Sequence, residues 1–280
     1  MMHAVLRRQA FRHLVVLVSA FIMIYPLLWM LASSFKAGNE LLTDLSLWPS
    51  QFTLEHYTEG WKGVSRVSFE RFYLNTFVLV LLVIAGNLIS CSLAAFAFAR
   101  LQFRFKRLMF AIMLVTMMLP FHVIIIPQYI MFNQLNWIDS FLPLSVPKFF
   151  AVEGFFIFLM VQFMRGLPKE LDQAATVDGC GTFQIFWRLV LPLSLPALVT
   201  TAIFTFLWTW NDFFSQLLYI SSIQNYTISL GLRMYMASDG EAAWGRMFAM
   251  SVLSLVPVFA IFVYFQRYLI EGITSGGIKG

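Results

Sequence analysis

Charge is scarce in this chain. Asp, Glu, Lys and Arg make up 12% of its residues, where a soluble domain carries roughly a quarter. Hydrophobic residues make up 60%, and the mean hydropathy is +0.77. So few polar groups cannot clothe a water-facing surface, so the main solvent of the fold is lipid. Cysteine is scarcer still: Cys91 lies in an apolar run and Cys180 in a polar loop. Neither has metal-ligand spacing, which excludes a disulfide framework and a thiolate metal centre. The G-x-x-x-x-G-K-S/T phosphate loop is missing, as are H-E-x-x-H and G-x-S-x-G, so the common nucleotidase, metalloprotease and hydrolase signatures are excluded. The net charge of +5 forms no basic stripe, which argues against a nucleic-acid partner.

What the chain has is long apolar runs. A helix crosses the hydrocarbon with about 20 apolar residues. Six runs qualify: about 14–32, 74–99, 108–130, 144–164, 195–218 and 248–268. The first follows Arg7, Arg8 and Arg12 but is too long for a signal-peptide core and lacks a small-x-small cleavage site, so it reads as an uncleaved anchor. Of the 19 Lys and Arg, twelve fall on one side of the spans if the N-terminus is cytoplasmic, and seven on the other. Arg100, Arg104, Lys106 and Arg107 crowd one short loop and fix that orientation best. The expected architecture is therefore an all-α integral membrane protein. It forms a single transmembrane domain over 1–280, with six spans and both termini inside.

The segment 165–194 is the one long cytoplasmic loop. Pro168 suits a first helical position, and Glu170 and Asp172 fall where the helix dipole favours anions. Ala174 and Ala175 are strong helix formers, and Gly179 suits the residue past the helix end. A helix from Pro168 to Asp178 is expected, then a second short helix capped by Thr182, then a turn marked by Pro192 and Pro196. Acids around a small-residue centre suit docking into a partner's groove, although an ordinary interfacial helix would look similar.

The loop resembles the EAA motif of permease subunits of binding-protein-dependent ABC importers. The match falls on Gln173-Ala174-Ala175, on Asp178-Gly179, and on Leu189-Val190-Leu191-Pro192, with the spacing kept throughout. Two residues depart: Gln173 stands where the family has Glu, and Leu189 where it has Ile. Asn75-Thr76, Leu119-Pro120, Ile126-Pro127, the run Trp208 to Asp212 and the glycine-rich end are similar to the carbohydrate-importer branch, which includes the G subunit of the maltose permease. The resemblance implies a multi-pass subunit of the bacterial inner membrane. Its partners would be a second homologous permease, two ATP-binding cassette subunits and an extracytoplasmic solute-binding protein. It implies alternating access driven by ATP and magnesium held in the ATPases, with no cofactor in this chain. The coupling helix would carry Glu170, Asp172, Gln173, Ala174, Ala175, Asp178 and Gly179, with Leu191 and Pro192 closing the motif. Gly276, Gly277 and Lys279 would reach between the ATPases. The outer segment 219–246 would meet the binding protein. An ion-gradient-driven secondary transporter is the alternative, although no internal repeat supports it.

Charged and polar groups inside hydrocarbon are functional candidates by default. Glu153 in the fourth run could line a pathway, pair with a cation of the partner permease, or sit protonated between helices. His122 follows Pro120, whose kink frees a carbonyl that His122 or water could satisfy. Trp210, Asn211 and Asp212 combine aromatic faces and polar groups as sugar recognition needs, although Trp also serves as an interfacial anchor. Asn87 reads as a helix-to-helix hydrogen bond. No metal site is expected. Because Gln173 lacks the family's charge, Asp172 or Glu170 is expected to supply the anion. Asp172→Asn should then lower solute uptake per ATP more than Gln173→Ala, and equal or reversed losses would refute it.

Overall fold

A computed structural model describes residues 2–38, 40–41, 46–237 and 241–274. Gly276, Gly277 and Lys279 lie outside the described residues. Those residues are helical with no strand; only isolated bridges such as Lys36 to Phe52 occur. In chain order the helices are α1 (Met2–Ser33), α2 (Glu55–Lys62), α3 (Phe69–Arg100), α4 (Lys106–Thr116), α5 (Phe121–Gln134), α6 (Leu142–Ser145), α7 (Gly154–Gly166) and α8 (Glu170–Val177). After them come α9 (Thr182–Ile185), α10 (Leu191–Leu193), α11 (Leu195–Asn211), α12 (Phe214–Tyr219), α13 (Ile228–Met236) and α14 (Glu241–Thr274).

Among the described residues, four stretches are long and apolar enough to cross a membrane: Phe11–Ser33, Phe69–Arg100, Leu142–Gly166 and Ala243–Gln266. They match the first, second, fourth and sixth expected runs. The other two expected spans are not straight. The third breaks into α4 and α5, bent by 99°. Residues before a proline are driven out of the helical region, and Pro120 is extended (φ −62°, ψ 129°) as α5 starts behind it. The fifth ends at Asn211 instead of 218, because Asp212 turns extended; just ahead of α12, its Oδ1 accepts from the Ser215 N–H at 3.1 Å. Upstream, the Thr182–Leu193 stretch meets α11 at 74°.

The chain divides into two compact units. One comprises Met1–Glu70 with Gly231–Val256. In it, Phe35 stacks on Phe52 with centroids 4.8 Å apart, the Ser34 and Tyr57 hydroxyls lie 2.7 Å apart, and the Tyr235 hydroxyl donates to the Gly60 carbonyl at 2.6 Å. The apolar window of α1 buries nothing within the chain, as a lipid-facing anchor should.

The other unit comprises Arg71–Leu230 with Pro257–Gly280. Its core joins α3, α7 and α11 through Cys91, Phe96, Phe156, Met160, Met164 and Ala197. Phe186 and Val190, in a π-helical stretch between α9 and α10, are buried in the same core. Asn87 on α3 donates to the Thr205 hydroxyl on α11 at 3.2 Å, the interhelical bond expected of it. At one end of this unit the segment after α12 is pinned by side chains. Asn75 donates to the carbonyls of Gln224 (2.8 Å) and Tyr226 (2.9 Å), and the Thr76 hydroxyl accepts from the Ile228 N–H at 2.9 Å. Asp139, at positive φ, accepts from the N–H groups of Ser221 (3.0 Å) and Ser222 (2.7 Å) and from the Ser222 hydroxyl.

Partial burial pushes the Asp139 carboxyl up, but the bonds from Ser222 and Ser221 and the Asn225 side chain outweigh it, so the carboxyl sits below its ordinary value. A lowered folded-state pKa stabilises the loop above the ordinary carboxylate range and loses that contribution as pH falls through the lowered value. The protection of the Ser221 and Ser222 amides against hydrogen exchange, relative to the intrinsic rate at each pH, should fall on acidification through that window. Asp139→Asn should accelerate exchange roughly three- to tenfold at neutral pH. Unchanged exchange in the variant would show that the carboxylate does not hold the loop.

Candidate functional site

Two places in the second unit gather the chemistry-bearing residues. The first is the loop after α7. Its helix runs from Glu170 to Val177, two residues shorter at the start than expected, because Pro168 and Lys169 form the turn that leads in. The end is as expected. Gly179 takes a φ of +82°, the left-handed conformation glycine adopts without a Cβ penalty. The Cys180 N–H then donates to the Ala175 carbonyl at 2.9 Å and the Gly179 N–H to the Thr176 carbonyl at 3.0 Å, the paired bonds of a Schellman stop. Thr182 is not the cap of α9. Gly181 occupies that position, and its N–H donates to the Gln184 side chain at 3.0 Å.

The two faces of α8 differ. Asp172 turns inward and meets Arg100, Nη1 to Oδ2 at 3.3 Å. Arg100 Nη2 also donates to the Leu167 carbonyl at 3.1 Å. Thus the anion expected to serve a partner is committed to a cation of its own chain. Glu170, Gln173, Ala174, Asp178 and Gly179 stay exposed, and Ala175 is half-buried. Val177 is 88% exposed, Phe183 70% and Trp187 62%, so the outer face is apolar around its polar residues. Leu191 packs partly on the core, and Pro192 is exposed at the start of α10.

The second place is an open cavity of about 1130 Å³. Its wall includes an irregular segment between α6 and α7. A 3-10 turn covers Val146–Phe150, Ala151 follows in the left-handed region (φ 55°), and Glu153 sits just before α7. Pro143 and Pro147 bracket the change from helix to turn. The segment lies flat on α3. A Cβ on Gly86 would stand 3.0 Å from the Lys148 backbone, tighter than side chains ordinarily pack, so glycine suits this close approach. The Ser90 hydroxyl donates to the Lys148 carbonyl at 2.6 Å. Gly86 lies about 25 Å from one end of α3 and about 21 Å from the other, so the broken turn meets that span at its middle.

Glu153 therefore stands in a break, not inside a continuous span. It pairs with Lys148, and both line the cavity. Each charge also suits its helix end: the carboxylate leads α7, and the ammonium closes the 3-10 turn. Among the readings the sequence offered for Glu153 was a cation of a partner permease; the cation it meets is Lys148 of its own chain. Helical neighbours lie three or four residues apart, and five residues meet here only because the helix is interrupted. Gln128, another lone polar residue in an apolar run, also lines the cavity and was missed.

The remaining pathway candidates separate. Asn211 and Asp212 line the cavity; Asn211 also donates back to the Leu207 carbonyl at 2.8 Å. Trp210 does not: it is buried against Phe206 (5.1 Å) and Phe77 (5.1 Å). Trp208 takes the wall position, stacked on Phe156 at 5.0 Å. His122 stands off the wall, its ring 6.0 Å from Phe121 and 5.6 Å from Phe214. It makes no hydrogen bond among the described residues and so does not satisfy the carbonyl freed at Pro120.

Known proteins resemble this chain in sequence and in fold. Residues 86–275 match the family described as binding-protein-dependent transport system inner membrane component. The chain is 30% identical over 264 residues to an arabinooligosaccharides transport system permease protein of Halalkalibacterium halodurans, covering 93% of each. It is 29% identical over 259 residues to a diacetylchitobiose uptake system permease protein of Streptomyces coelicolor, covering 92% of each. In fold it is similar to a chain of a bacterial ABC transporter involved in import of the acidic polysaccharide alginate, with a TM-score of 0.83 over 94% of this chain and 96% of that one, at 20% identity.

The ion pair makes a direct prediction. Lys148→Met or Glu153→Gln leaves a half-buried charge without its partner and should cost about 1–2 kcal/mol of stability after allowance for exposure. The double variant should recover most of that loss. Midpoints of thermal unfolding in detergent measure it, and additive losses would show that the two charges do not interact.

Proposed function

Since this chain belongs to the family of binding-protein-dependent transport system inner membrane components, and so is a multi-pass transport permease and not an enzyme, we propose that it carries a saccharide or oligosaccharide into a bacterial cytoplasm as one of two related permeases in an ATP-driven importer. The observation that carries this reading is the loop at α8. It is a short helix whose outer face is free and apolar and whose flanking stretch, Phe186 to Val190, is rooted in the span core. A partner that grips the outer face moves the core.

In this reading the chain is one transmembrane domain with six spans in the inner membrane, the two bent helix pairs each counting as a crossing, and both termini are cytoplasmic. Two ATPase subunits bind ATP and magnesium; this chain holds neither. Gln173, Ala174, Ala175 and Gly179 sit in the ATPase groove with Glu170 and Asp178 at its rim, while Leu191 and Pro192 pass the motion to α11. The tail with Gly276, Gly277 and Lys279 reaches between the ATPases. The solute-binding protein docks on the segment pinned by Asn75 and Asp139. The cavity is one wall of the pathway, completed by the second permease. Trp208 offers a stacking face, and Glu153, Asn211, Asp212 and Gln128 offer hydrogen bonds to hydroxyl groups. The solutes for which the two relatives are named, arabinooligosaccharides and diacetylchitobiose, support a saccharide.

Purification of the tagged chain from its native membrane in mild detergent tests the assembly. A second permease and an ATPase in stoichiometric amount are expected, with uptake that stops when ATP is withdrawn. Recovery of the chain alone, with uptake that follows an ion gradient and ignores ATP, would overturn the proposal.

A further inference from the structure

Arg100 is the last residue of α3, and its side chain is only 5% exposed. A buried guanidinium is costly unless its surroundings compensate it. Here three helix ends do so. The carbonyl end of α3 favours the cation, Leu167 is the residue that closes α7 and gives its carbonyl, and Asp172 lies in the first turn of α8. One side chain thus fastens the second span, the end of α7 and the coupling helix to one point. The other end of α7 is fastened to α3 as well, through Ser90 on the Lys148 carbonyl and the close approach at Gly86. Between these ties, α3 and α7 share the core of Cys91, Phe96, Phe156, Met160 and Met164.

Resting on the importer reading, we propose that Arg100 is the positioning residue that makes α8, α7 and α3 move as one strut, so that displacement of α8 by its partner reaches the broken turn at Lys148 and Glu153. Asp172 serves this internal clamp and not the partner. The clamp rests on one carbonyl bond and one ionic contact: Arg100 Nη1 lies 3.3 Å from Asp172 Oδ2 without making a hydrogen bond, and neither Arg100 Nε nor Asp172 Oδ1 makes one among the described residues. Removing either partner therefore releases α8 from α3, while Phe186 and Val190 keep the loop folded.

The test uses the whole complex in proteoliposomes with its binding protein, comparing solute carried per ATP hydrolysed. Arg100→Ala and Asp172→Asn should each assemble with the ATPases, retain ATP hydrolysis, and lose about tenfold in solute carried per ATP. Arg100→Lys, which keeps a cation at the carbonyl ends, should keep at least half of the wild-type ratio. A merely structural arginine would lower assembly and hydrolysis together. Wild-type ratios in both assembled single variants, or an assembled Arg100→Lys variant that carries no more solute per ATP than Arg100→Ala, would overturn the clamp. If Arg100→Ala fails to assemble, Asp172→Asn and Arg100→Lys decide by the same ratios. Wild-type complex without ATP-dependent uptake would overturn the importer reading itself, and the clamp with it.

Discussion

A backbone carbonyl released inside hydrocarbon has no water to bond, and each one left bare costs several kcal/mol. This constraint governs where the spans can be interrupted. At the break after α6 the Lys148 carbonyl is met by the Ser90 hydroxyl. Beyond α11, Gln216, itself fully buried, donates to the Thr209 carbonyl at 3.0 Å and is held by the Thr227 hydroxyl. After α7, Arg100 meets the Leu167 carbonyl. At these three places a side chain supplies the bond, and two of them border the cavity; His122 supplies none at the break after Pro120. Irregular backbone at this depth is tolerated where protein or a cavity surrounds it, and the chain spends its few polar residues there.

The same economy explains how much was legible in the sequence. Hydropathy located the four straight stretches to within a few residues, because burial in lipid leaves little freedom in composition. Pro120 announced an interruption in the third span but not a 99° turn, since proline fixes the local backbone and not the packing that follows. The stop at Gly179 was legible because a positive φ has few residue solutions. The α8 loop was legible by its spacing, yet the inward turn of Asp172 was not: the partner that claims it is 72 positions earlier, and nothing local links them. Lys148 and Glu153 were hidden by the assumption of a continuous helix. Trp208 and Trp210 are two residues apart and face different surroundings, which a count of aromatics cannot separate.

The α8 loop holds a buried side and an exposed side close together. Phe186 and Val190 bury themselves among helices α3, α7 and α11. Val177, Phe183 and Trp187 remain exposed, and of these Phe183 touches the core through the Phe186 ring. An apolar face of this kind on a polar loop suits an interaction surface. The loop is therefore anchored in the span core on one side and open on the other.

The pairing of Lys148 with Glu153 has an electrical consequence. Moving one elementary charge across a membrane held at 100 mV is worth about 2.3 kcal/mol, enough to bias a conformational equilibrium strongly. A lone carboxylate at midspan would make any rearrangement of this turn a voltage-driven event. With the ammonium beside it, the turn moves as a compact dipole of zero net charge, and its displacement carries no gating current. Translation of the neutral pair therefore draws no work from the field across the bilayer.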